Sequence, residues 1–80
     1  MPAARASLGQ VMRAFRQRRD LSQEELGDRA GVHRTYVGQV ERGERNPSFE
    51  SLDRLLRALG VSWAQFGAAV DAARDGTVGR

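Results

Sequence analysis

The sequence contains no cysteine and no lysine, and only one histidine, one tryptophan and one tyrosine. Without cysteine there is no disulfide framework, no zinc-thiolate site and no cysteine nucleophile. A single histidine, with no paired carboxylates in an apolar setting, leaves little material for acid-base or nucleophilic chemistry. The expectation is a protein that is not an enzyme and carries no metal or other cofactor. The segments GDRAG and RGERN lack the pattern of a phosphate-cradling loop, and no small-molecule ligand is evident. No apolar run approaches the roughly 18 residues of a membrane span, and MPAARAS lacks the apolar core of a signal peptide. The expected place is the cytoplasm, away from membranes.

What is present fits one small globular domain. Eighty residues, 40% hydrophobic and 29% charged, can bury one modest core, so marginal stability or dimerisation is expected. Every basic residue except His33 is an arginine, whose planar fork suits phosphate and guanine. A net charge of +3 excludes a blanket polycation, but the charge is segregated. Residues 1–19 hold Arg5, Arg13, Arg16, Arg18 and Arg19 with no acid; residues 20–32 hold Asp20, Glu24, Glu25 and Asp28 against Arg29. This pattern predicts a basic face beside an acidic one.

Apolar spacing and capping signals predict five helices and no strand, an all-α bundle. Residues 1–6 read as a flexible arm. Ser7 with Gln10 fits a capping box opening a helix over about 8–19, with Leu8, Met12 and Phe15 as its stripe. Ser22 with Glu25 opens a second helix over about 23–30, with Leu21 and Leu26 as a hydrophobic staple. Gly31 ends it in a sharp turn anchored by Val32. His33 caps a third helix over about 34–42, with Val37 and Val40 inward. Ser48 caps a fourth over about 49–59, where Leu52, Leu55, Leu56 and Leu59 give the cleanest periodicity in the chain. Ser62 with Gln65 opens a fifth, to about 74, carrying Trp63, Phe66, Ala69, Val70 and Ala73. The domain is expected over 7–74, with a flexible tail over 75–80.

The second and third helices, joined tightly at Gly31-Val32, form a helix-turn-helix pattern with a polar second member. Arg34, Thr35, Gly38, Gln39 and Arg42 project away from Val37 and Val40. Arginine pairs bidentately with guanine, glutamine with adenine, and the threonine methyl packs on that of thymine. A solvated polar face is the alternative. Glycine inside a helix costs roughly 0.5–1 kcal/mol relative to alanine, so Gly38 either allows close approach to DNA or is merely tolerated. His33 is a cap or a phosphate contact. Gln23 lies in the first turn of the second helix, where the helix end favours anions.

The string from Leu21 to Pro47, continuing as SFESLDRLLRALGVS, resembles the Cro/phage-repressor (XRE-type) helix-turn-helix family. The run HRTYVGQVERGERNPS is similar in particular to the controller proteins of restriction-modification systems. The resemblance implies a sequence-specific, autoregulatory transcription regulator that binds a pseudo-palindromic double-stranded DNA operator as a homodimer. It implies base reading by Arg34, Thr35, Gln39 and Gly38, and backbone contacts by Gln23, His33, Tyr36, Arg42, Arg45 and Asn46. It also implies a structural ion pair between Arg16 and Glu41. In activating relatives the face matching Glu24 and Asp28 touches RNA polymerase; acids placed in a first helical turn are the alternative. A dimer interface is expected at Leu59, Trp63, Phe66 and Val70, the alternative being that Trp63 and Phe66 close the monomer core. The competing functional class is an antitoxin or other protein-interaction module carrying a helix-turn-helix. The short segment DGTVGR after the fifth helix argues against it.

Overall fold

The computed structural model describes residues 3–75, with side chains from Leu8 onward. Five helices follow in order: α1 (Ala3–Arg18), α2 (Gln23–Ala30), α3 (Arg34–Glu41), α4 (Phe49–Leu59) and α5 (Trp63–Asp75). No strand occurs among the described residues. α1 starts at Ala3 rather than near residue 8, so Ser7 lies inside the helix instead of capping it. Ala3, Ala4, Arg5 and Ala6 are strong helix formers, and their propensity extends the helix past the local polar signal. Residues 76–80 of the expected tail lie outside the described residues; Asp75 is the last residue of α5.

The other boundaries follow from their caps. The Ser22 side chain accepts from the Glu25 amide at 2.9 Å, and the Glu25 carboxylate accepts from the Ser22 amide at 2.8 Å. Ser62 and Gln65 repeat this reciprocal pair at 3.0 Å in each direction. Ser48 accepts from the Ser51 amide and opens α4. α1 ends differently: Asp20 adopts a φ of 55°, and the Leu21 amide reaches back to the Arg16 carbonyl.

The helices wrap one core. Met12, Leu26, Val37 and Leu55 are fully enclosed, and Leu56, Val40 and Leu59 nearly so. Val11 and Val61, absent from the expected stripes, are buried as well. Phe15 meets Phe66 with ring centroids 6.5 Å apart, tying α1 to α5. The Arg18 and Arg19 guanidiniums lie over the Phe15 ring, and Arg19 also donates to the Leu59 carbonyl at the end of α4.

Two interior glycines set the spacing of the elements around α3. A Cβ on Gly9 would land on the Val40 carbonyl oxygen and within 2.5 Å of that of Glu41. A Cβ on Gly27 would lie 2.6 Å from the Val32 carbonyl oxygen. α1 against the end of α3, and α2 against the α2–α3 turn, therefore approach at backbone-to-backbone distance, which no other residue permits without displacement.

Candidate nucleic-acid interface

The two short helices α2 and α3 are joined by Gly31, in the left-handed conformation at φ 75°, which donates to the Gly27 carbonyl. The Val32 amide donates to the same carbonyl at 2.9 Å, closing the turn. The His33 side chain then caps α3, its Nδ1 accepting from the Thr35 amide at 3.0 Å. Arg34 and Thr35, on the first turn of α3, are exposed, and Gln39 is half-buried one turn further. The Arg34 guanidinium lies 3.6 Å from the Glu24 carboxylate, both side chains being 64% exposed, a solvated pairing that holds neither in place.

The underside of α3 is tied to α1 by a dense polar cluster. Arg16 donates to both carboxylate oxygens of Glu41, from Nε at 2.7 Å and from Nη2 at 3.0 Å. Its Nη1 donates to the Leu21 carbonyl at 2.8 Å. The side chains are 11% and 2% exposed, so this is a buried, bidentate ion pair whose third guanidinium nitrogen is also hydrogen-bonded. Gln23 joins it, donating from Nε2 to Glu41 Oε1 at 3.1 Å. The carboxylate that anchors α3 in the core thus also orients the first side chain of α2.

Gly38 does not offer an open backbone. It is buried, and a Cβ there would sit 3.0 Å from Nη1 of Arg42 and 3.4 Å from Oε1 of Gln23. The glycine makes room for these two side chains. Arg42 also closes on Glu44, donating at 2.8 and 3.2 Å. These hydrogen bonds hold the Glu44 carboxyl below its ordinary range and raise the arginine further. Arg45 lies over the Tyr36 ring at 5.6 Å, and Asn46 is exposed beside it. Glu24 and Asp28 border a shallow depression with Val32, His33 and Arg34, so the acids lie beside the front of α3.

The structure does not gather the expected dimer residues into one surface. Leu59 and Phe66 are 3% and 4% exposed and belong to the monomer core, because Phe66 turns onto Phe15 and Leu59 completes the α4 stripe. Trp63 is 41% exposed and Val70 is half-buried. Phe49, which periodicity passes over as the first residue of α4, is 73% exposed. Its ring stacks on Trp63 at 5.0 Å, with planes 9° apart. The indole Nε1 donates to Asp53 at 2.8 Å, and Arg57 donates to the other oxygen of that carboxylate. The Asp53 carboxyl is lowered by the indole first and then by Arg57.

Among the described residues no group of histidine and carboxylate side chains could hold a metal, and no helix is long and apolar enough to cross a membrane. A helix-turn-helix family model matches residues 12–66. The chain is 46% identical over 55 residues to the control protein C.SmaI of Serratia marcescens, covering 69% of this chain and 66% of that one. It is 40% identical over 58 residues to the control protein C.BamHI of Bacillus amyloliquefaciens, covering 71% of this chain and 72% of the other. The crystal structure of the restriction-modification controller C.AhdI from Aeromonas hydrophila is similar with a TM-score of 0.79 and 38% identity, over 81% of this chain and 98% of that one. The chain is a member of the XRE-type helix-turn-helix family of DNA-binding transcription regulators.

Proposed function

We propose that the chain is a homodimeric controller that binds a pseudo-palindromic operator, regulates its own promoter and serves a restriction-modification system. The observation that carries the reading is the front of α3. Arg34 and Thr35 stand exposed on its first turn, with Gln39 behind them, while Glu41 on the opposite side locks the helix to α1. A major-groove helix needs this combination of free readers on a fixed axis. Arg34, Thr35 and Gln39 read base edges, with guanine, thymine methyl and adenine as their matching partners. The Tyr36–Arg45 pair, Arg42, Asn46, Gln23 and His33 line the phosphates on either side, positioning without reading. Glu24 and Asp28, beside the front of α3, face RNA polymerase when the protein activates.

The names of the relatives C.SmaI, C.BamHI and C.AhdI support the controller role. The exposed Phe49–Trp63 stack, with Val70, supplies apolar surface for a two-fold seam, since aromatic residues concentrate in interface cores. Two recognition helices would then stand about 34 Å apart, one DNA turn.

The test is selection of binding sites from a random duplex pool, followed by titration of the selected site and a scrambled duplex. The selected site is expected to be palindromic and to occur upstream of the chain's own gene. Arg34→Ala is expected to cost about 1–3 kcal/mol on the selected site and to relax preference at one base pair. Equal losses on the selected and scrambled duplexes would move Arg34 to the phosphate class.

A further inference from the structure

A groove of about 280 Å3 lies between the outer faces of α2 and α4, lined by Arg29, Arg54 and Arg57 over a floor of Ala30 and Ala58. We propose that this groove docks an acidic, partly apolar segment of a second protein. Three arginines border the two alanines of the floor, and Arg54 has no ion pair among the described residues. Arg57 is bound by Asp53 at 2.8 Å. Arg29 and Arg54 form no salt bridge with any described carboxylate. Glu25, one turn before Arg29, accepts from the Ser22 amide and also attracts Arg29 through space. Arg29 and Arg57 lie in the last turns of their helices, where cations offset the helix dipole. That effect does not account for Arg54, which sits a turn earlier on α4.

With the operator oriented as proposed above, the groove is set back from the DNA. On the proposed reading the DNA faces Gln23, which opens α2, and Asn46, in the loop before α4, whereas the groove lies toward the C-terminal halves of both helices. At about 1.5 Å per residue, Arg29 is roughly 9 Å along the axis of α2 from Gln23. The volume also falls below the roughly 300–1,000 Å3 of a site that engulfs a small molecule. A peptide carrying carboxylates for the arginine forks and a small apolar side chain for the alanine floor matches what is there. Arginine forks favour carboxylates bidentately, giving such a site both charge and orientation. The inference stands independently of which bases α3 reads.

The experiment is an amide chemical-shift titration of the labelled full chain with four probes. These are a short peptide of alternating glutamate and leucine, its glutamine counterpart, inorganic phosphate and a random duplex. The expected result is that the acidic peptide shifts the amides of Arg29, Ala30, Arg54, Arg57 and Ala58. Arg54→Ala is expected to weaken that binding roughly tenfold, as for one charge-assisted contact. It should leave the melting temperature and the affinity for the selected operator unchanged. Absence of shifts at these amides would overturn the proposal. So would equal shifts with the glutamine peptide, phosphate or the duplex, which assign the groove to apolar contact, free anions or DNA.

Discussion

Replacing Glu41 by alanine tests the central structural claim. The carboxylate accepts three hydrogen bonds, two from Arg16 and one from Gln23, in a position where its side chain is 2% exposed. Glu41→Ala leaves the Arg16 guanidinium, 11% exposed, with only the Leu21 carbonyl as partner. Stranding one member of a buried pair costs about 3–5 kcal/mol. At roughly 0.05–0.15 kcal/mol per residue, a domain of this size has a total stability on the order of 4–12 kcal/mol. The substitution therefore removes about a quarter of it or more. At about 4–8 °C per kcal/mol, the melting temperature falls by more than about 12 °C. Urea unfolding followed by far-ultraviolet circular dichroism gives the difference directly. The double variant Arg16→Met with Glu41→Leu removes both charges and is expected to recover most of the loss, because no ion is left unpaired. A Glu41→Ala protein within about 1 kcal/mol of the parent would refute the reasoning, as would a double variant as unstable as the sum of the single ones.

Gly9→Ala and Gly67→Ala should move stability in opposite directions although both glycines are helical. The first forces a methyl group onto the α3 carbonyls and should cost about 1–3 kcal/mol. The second meets nothing within 4 Å and should gain about 0.5–1 kcal/mol; equal effects on thermal unfolding would contradict the packing described for α1. The Glu25 carboxyl is held below the ordinary carboxylate range by the Ser22 amide and then by the Ser22 hydroxyl. A depressed folded value means that its contribution is complete above the ordinary carboxylate range and is lost as pH falls through the folded value. The urea-midpoint gap between the parent and Glu25→Gln should accordingly be constant near neutrality and close in acid. Arg45→Ala should weaken binding to all duplexes alike and reduce the slope of log affinity against log salt by about one, measured by fluorescence anisotropy. Phe49→Ala and Trp63→Ala should each raise the dimer dissociation constant by about 30-fold or more in sedimentation, with melting of the monomer little changed.

The helices were legible because their signals are local. Ser22 with Glu25 and Ser62 with Gln65 announce a helix start within four residues, and the leucines of α4 declare its inner face without reference to anything else. The start of α1 misled because Ser7 and Gln10 mimic a cap inside a segment whose alanines favour helix throughout. Leu59 and Phe66 show the limit of periodicity, which tells that a side chain is covered but not by what. Phe15 covers Phe66, and only the fold brings them together. The Gln23–Glu41 hydrogen bond spans 18 positions, and no spacing rule marks it. Gly9 and Gly27 did leave a trace, as glycines inside helices that propensity alone would not place there, but the carbonyls they admit belong to other elements.

The cluster of Arg16, Glu41 and Gln23 has a consequence for how such a regulator can change over evolutionary time. Arg34 and Thr35 are exposed and unattached to the core, so their replacement should alter stability by no more than about 0.5 kcal/mol. On the proposed reading, a lineage can exchange them, and with them its preferred operator, while the domain stays folded. Gln23 and Glu41 have no such latitude, since a change at either disturbs the joint between α1, α2 and α3. The letters being read can drift, while the angle from which they are read is inherited.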